Sequence, residues 1–221
     1  NLDTTTGASS APNRAETVGK WANTSNSLDQ FRNAISNANT WNSGSETVIL
    51  GWDPADTHTT NFWTELATKT ATAGDTSVTL TFTPKKYLWI QGFVSANSGT
   101  NCYSRIRFGN GSVDSGSNYC DRVSQGGSSD STDINSTSNF SYWSPYQKHF
   151  FNMFVINVAS KEKLAIIHGL EYTTTGAGTA PNRTEYVAKW TNTSNQTDRV
   201  NISTDQGAYS ANTTFRVWGS D

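Results

Sequence analysis

The stretch "TTTGASSAPNRAETVGKWANTSNSLD" at Thr4 to Asp29 returns almost unchanged as "TTTGAGTAPNRTEYVAKWTNTSNQTD" at Thr173 to Asp198. Eighteen of the 26 aligned positions are identical, at a constant offset of 169. The closing stretches Glu46 to Leu50 and Thr214 to Trp218 align at an offset of 168, with Gly51 matching Gly219 and Asp53 matching Asp221. One residue has been gained or lost in between. A period this long marks a repeated domain, because solenoid repeats recur every 20–50 residues or so. A complete unit therefore runs over 54–221, and residues 1–53 repeat the C-terminal third of a preceding copy.

That arrangement poses a physical problem. A third of a β-sandwich cannot bury both faces of its strands by itself. Residues 1–53 need a partner, and three are open: upstream sequence, the complete domain of the same chain, or a neighbouring chain that accepts the strands by augmentation. The last two also cover strand edges that otherwise invite aggregation.

The rest of the sequence reads as strands. Charged residues make up only 15% of the chain, yet eight Trp, eight Tyr and ten Phe supply far more apolar surface than a disordered segment carries. Helical periodicity is scarce, whereas short β-branched and aromatic runs alternate with Gly, Asn and Ser. Thr76 to Phe82 alternates Val78, Leu80 and Phe82 with polar residues, and "YLWIQGFVS" at Tyr87 to Ser95 is strongly β-prone. Phe150 to Val158 and Leu164 to Leu170 flank "ASKEK", a connection of hairpin length. Glu46 to Leu50 and Thr214 to Trp218 are expected as the final strands of the two copies. The predicted fold is all-β: an antiparallel, jelly-roll-like β-sandwich with one complete copy preceded by a partial one.

Several function classes find no support. A net charge of -2 without any Lys/Arg cluster leaves no electrostatic footprint for nucleic acid. No apolar run approaches the roughly 20 residues of a membrane-spanning helix. No P-loop, GxGxxG or GxSxG pattern occurs, and no cofactor is expected. His58, His149 and His168 stand far apart and form no metal-ligand spacing. Asp114, Asp121, Asp130 and Asp133 lie in a Gly/Ser-rich region, but their spacing fits no standard Ca²⁺ loop, so they are expected as solvated turn residues and no metal is expected. Nothing points to an enzyme.

Cys102 and Cys120 flank "YSRIRFGNGSVDSGSNY". A hairpin centred near Gly111 sets them opposite each other, within the Cα separation of roughly 7 Å that bridging requires, which predicts a disulfide and an oxidising compartment. The alternative is a pair of buried thiols. Asn23 and Asn192 head Asn-X-Ser/Thr sequons that recur in both copies, and glycosylation of an exported surface there competes with chance in an Asn/Ser/Thr-rich chain.

The repeated "APNR.E.V.KW.NTSN" is the most informative stretch. Pro12 and Pro181 fix φ, Asn13 and Asn182 suit a turn, and an extended segment follows. Arg14 with Glu16, and Arg183 with Glu185, sit two apart and so share a strand face, where they can pair. Trp21 and Trp190 complete the set. These six residues are either a duplicated scaffold of turn plus strand or a contact surface for protein or sugar.

Together, "YLWIQGFVS", "RIRFGNGSVDSGSNYCDRVSQGGSSDST", "SKEKLAIIHG", "GAGTAPNRTEYVAKWTNTS" and "FRVWGSD" resemble virion structural proteins of the tail, fibre or capsid-decoration kind encoded by tailed phages and related viruses. The resemblance spans most of 61–221 and, in its last third, 4–53. It implies a non-enzymatic jelly-roll-like sandwich that assembles in many copies outside the cell, with itself as a homo-oligomer or with other virion proteins, by strand sharing through residues 1–53. The cysteine pair and the truncated first copy depart from it. A second expectation is a carbohydrate-binding module or adhesin, if two or more of Trp21, Trp63, Trp89, Trp143 and Trp190 line one surface and stack on a glycan. A glycan-cleaving enzyme needs two carboxylates roughly 5–10 Å apart in a cleft, and no such pair is recognisable.

Overall fold

The computed structural model describes residues 6–14, 62–95, 102–136, 140–142, 148–172 and 176–221, with short stretches at 22–23, 25–26, 29–35, 40–41, 43 and 45–49. In chain order the strands are β1 (Thr64–Thr70), β2 (Ser77–Thr81), β3 (Tyr87–Ser95), β4 (Ser104–Asn110), β5 (Ser112–Val113), β6 (Tyr119–Gln125) and β7 (Ser131–Ser136). They continue with β8 (Phe140–Tyr142), β9 (Lys148–Ile156), β10 (Lys163–Tyr172), β11 (Asn182–Trp190), β12 (Arg199–Thr204) and β13 (Thr214–Ser220). No helix occurs among the described residues.

Two antiparallel sheets pack face to face. The larger has eight strands in the order β1-β13-β3-β9-β10-β11-β6-β7. The smaller has the order β2-β12-β4-β5, with β8 also paired to β4. The alternation visible in the sequence is what builds the interior, because successive side chains of a strand point to opposite faces. In β3 the residues Leu88, Ile90 and Val94 point inward, in β9 Phe151, Met153 and Val155, and in β13 Phe215 and Val217. The smaller sheet answers with Leu80, Ile106, Phe108, Val200 and Ile202. Gly92 lies opposite Phe151 in the β3–β9 ladder. A Cβ there would sit 2.2 Å from the Phe151 ring, so only glycine leaves that aromatic its place.

The hairpin across "ASKEK" forms as expected, with Leu164 opposite Ile156 and Tyr172 opposite Lys148. The final strand of the complete copy forms as well, as β13 between β1 and β3. Its counterpart in the partial copy does not: residues 46–49 are described and carry no strand. A strand exists through its ladder partners, and β13 is held by two strands that the partial copy does not repeat.

The hairpin expected between Cys102 and Cys120 is much shorter than predicted. The chain does turn at Gly111, with φ +70, but the pairing runs only from Gly109 and Val113 to Asn110 and Ser112. It then leaves the smaller sheet, and Cys120 enters β6 of the larger one. Cys102 belongs to the core cluster, with its thiol pushed to higher pKa by burial. Cys120, next to the inward Tyr119, faces away from that interior, and its thiol donates to the Ser10 carbonyl at 3.3 Å. No disulfide joins them. The predicted bridge fails because Cys102 sits in the interior just before β4 of the smaller sheet, whereas Cys120 lies on the outer face of β6 in the larger one.

By compactness the chain divides into residues 1–15 with 62–221, and residues 16–61. The first fifteen residues of the partial copy thus belong with the complete domain, so this division does not fall at 53/54. In the second unit, the Asn23 carboxamide accepts from the amides of Ser25 and Asn26 at 2.8 and 3.1 Å, and Asn33 Nδ2 donates to Thr47 Oγ1.

Candidate functional site

The two copies of the repeat motif share their turns but not their strand: Asn182 and Arg183 open β11, whereas Asn13 and Arg14 carry no strand. Asn192 caps the amides of Ser194 and Asn195, both at 2.9 Å, as Asn23 caps Ser25 and Asn26. The motif begins with Gly176 at φ +96 in one copy and Gly7 at φ +86 in the other, each opening the same bend and turn. A side-chain Asn bond to the amides two and three residues on is an Asx turn, and left-handed φ favours glycine, so both repeats encode their turns directly. In this arrangement the Asn23 and Asn192 carboxamides serve the backbone.

Where the two copies meet is the most specific feature of the molecule. Residues 7–14 of the partial copy lie as an arm on the outer face of the eight-stranded sheet, at its β11-β6-β7 end. The Gly7 N–H donates to Glu162 Oε1 at 2.7 Å, and the Asn135 N–H donates to the Ala8 carbonyl at 2.7 Å. Cys120 donates to the Ser10 carbonyl, and Arg122 Nε donates to the Pro12 carbonyl at 2.9 Å. Ala8 and Ala11 are buried in the process.

Arg14 locks the arm. One guanidinium nitrogen contacts Glu185 Oε2 at 2.5 Å and another Asp130 Oδ1 at 2.9 Å. The planar fork of arginine suits such a double contact. Glu185 also meets Arg183, whose Nε lies 3.5 Å from Oε1. The expected same-face pair of Arg183 and Glu185 is therefore formed, and one glutamate serves the equivalent arginines of both copies. Arg183 is 63% exposed, whereas the Arg14 side chain is only 19% exposed. Glu16 and Trp21 lie outside the described residues, as do His58 and Trp143.

Trp190 is not available as a contact residue. It is buried in the core against Phe108 and Tyr119, and its indole N–H donates to Asp114 Oδ2 at 2.7 Å. Asp114 also accepts from Gly116 and Asn118, which makes it the organiser of the β5–β6 turn and not a solvated side chain. Asp121 is buried, and Asp130 belongs to the arm site. Among the described residues, no three acids, histidines or cysteines converge in a way that would hold a metal ion.

The remaining outer face of the large sheet carries apolar rows on either side of a polar one, Arg216, Gln91, Asn152 and His168. One row runs from Trp218 through Trp89, Phe154 and Ile166 to Val187 and Arg122, each opposite the next. Phe154, Ile156, Leu164, Ile166 and Leu170 are exposed. Trp63 packs edge-on to Trp89 at 6.0 Å and tilted on Phe154 at 6.5 Å. Two of the five candidate tryptophans, Trp63 and Trp89, are thus neighbours on one face. The faces of Trp89, however, are taken: Trp218 stacks on it at 4.8 Å and Phe154 at 5.8 Å. A sugar stacks on the face of a ring, and here the rings are piled against one another. Beside this row Asn152 Oδ1 accepts from the Trp89 indole and from Gln91.

One serine and histidine do meet. Ser104 Oγ lies 2.8 Å from His149 Nε2. Both are fully buried inside the sandwich, and desolvation pushes His149 down to about 3, so it is neutral at any ordinary pH. A pair sealed between two sheets has no route for a substrate. His168 is exposed on the outer face of β10.

The arm could not be read from the sequence, because the same-face rule finds partners two residues away and not in another copy. The signal that was present is the identity of the repeat itself. Comparison of the chain with protein-family models, curated proteins and solved structures finds no match.

Proposed function

We propose that this chain is a non-enzymatic structural component of an extracellular assembly, with a virion surface, tail or fibre as its setting. The observation that carries the reading is the docking of one copy's repeat motif on the sheet of the other through Arg14, Glu185 and Asp130. A contact that recurs with the repeat is a means of joining copies, and copies joined through unlike surfaces build extended assemblies. The exposed apolar residues Phe154, Ile156, Leu164, Ile166 and Leu170 and the weakly charged Ser/Thr/Asn surface fit the same role. The virion setting rests on the resemblance of sequence phrases alone.

Native mass spectrometry of the protein as isolated from its source tests this. The expected result is a multiple of 24.1 kDa or a mass that includes other particle proteins. A 24.1 kDa monomer at every concentration overturns it.

Carbohydrate recognition is the second reading, favoured by the adjacency of Trp63 and Trp89. The stacking of Trp218 and Phe154 on Trp89 leaves ring edges for a glycan, which ranks it behind assembly. Binding on a glycan array that is lost in Trp63→Ala would reverse that order.

A further inference from the structure

We infer that the tip of the β10–β11 hairpin, Gly176 to Arg183, is a second copy of the arm that plugs into the arm site of another copy of this chain. This deepens the assembly reading and rests on it. The arm supplies a template for what the tip can do. Besides the burial of Ala8 and Ala11, the polar contacts that seat the arm run through its backbone and Arg14: the Gly7 N–H on Glu162, the Ala8 carbonyl on Asn135, the Ser10 carbonyl on Cys120, the Pro12 carbonyl on Arg122, and the guanidinium on Glu185 and Asp130.

The tip repeats those elements one by one. Gly176, Ala177, Ala180, Pro181, Asn182 and Arg183 are identical to Gly7, Ala8, Ala11, Pro12, Asn13 and Arg14. The two differing positions, Gly178 and Thr179 for Ser9 and Ser10, contribute only backbone to the docked arm. The opening turn is also preset, with the first glycine left-handed in both and the same turn following, while Asn182 and Arg183 lie in the first two positions of β11, where Asn13 and Arg14 carry no strand. What differs is exposure. Ala8 and Ala11 are buried against the sheet, whereas residues 176–181 are all exposed and Arg183 has 63% of its side chain in water. A preorganised segment loses little entropy on docking, so the exposed tip is ready to bind.

The site that fits it is filled in each chain by that chain's own arm. The arm is joined to the sandwich through residues 15–61 of the same chain, so it competes as an intramolecular segment at an effective concentration of roughly a millimolar, and exchange requires either a crowded assembly or a weakened arm. Once exchange occurs, the tip of one copy sits on the sheet of the next, whose own tip remains exposed. Such a head-to-tail contact leaves a tip and a site open at the ends, so it propagates into a filament, or into a ring where the rotation between copies closes.

The test uses the full chain. Ala8→Trp with Arg14→Glu overfills a buried position and places a carboxylate beside Glu185 and Asp130, which expels the arm. The variant should associate at about 100 µM, below the effective concentration of the tether, where the wild-type chain does not associate through this contact. Sedimentation equilibrium should show at least a doubling of weight-average mass. Adding Ala180→Trp, at a position exposed in its own domain, should return the variant to monomer with an unchanged melting temperature. An arm-expelled variant that stays monomeric, or one whose association survives Ala180→Trp, overturns the proposal. If it falls while the source-isolated protein is still a multimer, the assembly reading stands and a different surface joins the copies.

Discussion

Removing the Arg14 guanidinium should loosen the arm without unfolding the sandwich. The side chain is about four-fifths buried and places separate nitrogens on Glu185 and Asp130, at 2.5 and 2.9 Å. Exposed ion pairs contribute about 0.2–1 kcal/mol, and breaking a fully buried one costs roughly 3–5 kcal/mol. A partly exposed fork on two carboxylates falls between, at about 1.5–2 kcal/mol, which is a 10–30-fold rise in the undocked population. Cys120 reports that population directly. Its thiol is buried and donates to the Ser10 carbonyl of the arm, so it reacts with a thiol reagent when the arm lifts. Cys102, inside the core, is the internal control. When reclosing outpaces the reagent, the labelling rate follows the open population. Arg14→Ala should therefore speed Cys120 labelling about 10–30-fold and leave Cys102 unchanged, with Arg14→Lys intermediate because an ammonium cannot fork. An unchanged Cys120 rate, or equal acceleration at both cysteines, would show that Arg14 does not hold the arm.

Three further outcomes follow from the packing of the sandwich. Gly92→Ala puts a methyl 2.2 Å from the Phe151 ring and should destabilise the domain by about 1–3 kcal/mol in urea unfolding, with partial recovery on adding Phe151→Leu. His149 has its pKa lowered to about 3 by burial, below its unfolded value near 6.5. Its folded form is the neutral one, so stability is level above pH 6.5 and falls as the pH drops from there toward 3. His149→Gln should lose that part of the acid dependence, and a pH profile identical to wild type would contradict it. Mass analysis after denaturing alkylation without reductant should find both Cys102 and Cys120 modified, whereas a mass two protons short with no label would restore the disulfide.

The sequence carried the strands well where local pattern decides them. β3 begins and ends where "YLWIQGFVS" predicts, and the β9–β10 hairpin follows from the polar connection between two β-prone runs. Arg183 and Glu185 pair because a period of two is enough to place them. What failed depends on which sheet a strand joins. The Gly111 turn is real, but two residues later the chain changes sheets, and nothing in the spacing of Cys102 and Cys120 records that. Trp190 follows a similar logic: the half-buried Asp114 that accepts its indole proton is 76 residues away in sequence. Residues 46–49 show the converse, a β-prone run described without a strand. The arm site combines a legible part, the repeat, with an illegible one, the long-range partners Asp130, Asn135 and Glu162.

The central claim is that the repeat motif of one copy docks on the sheet of the other, and the hydrogen bond from the Asn135 N–H to the Ala8 carbonyl tests it most directly. In the full chain labelled with ¹⁵N and ¹³C, a scalar coupling through that bond between the Asn135 nitrogen and the Ala8 carbonyl carbon is the expected result. It should be accompanied by slow exchange of the Asn135 amide. Absence of the coupling together with an Asn135 amide that exchanges at the rate of open chain would contradict the docked arm.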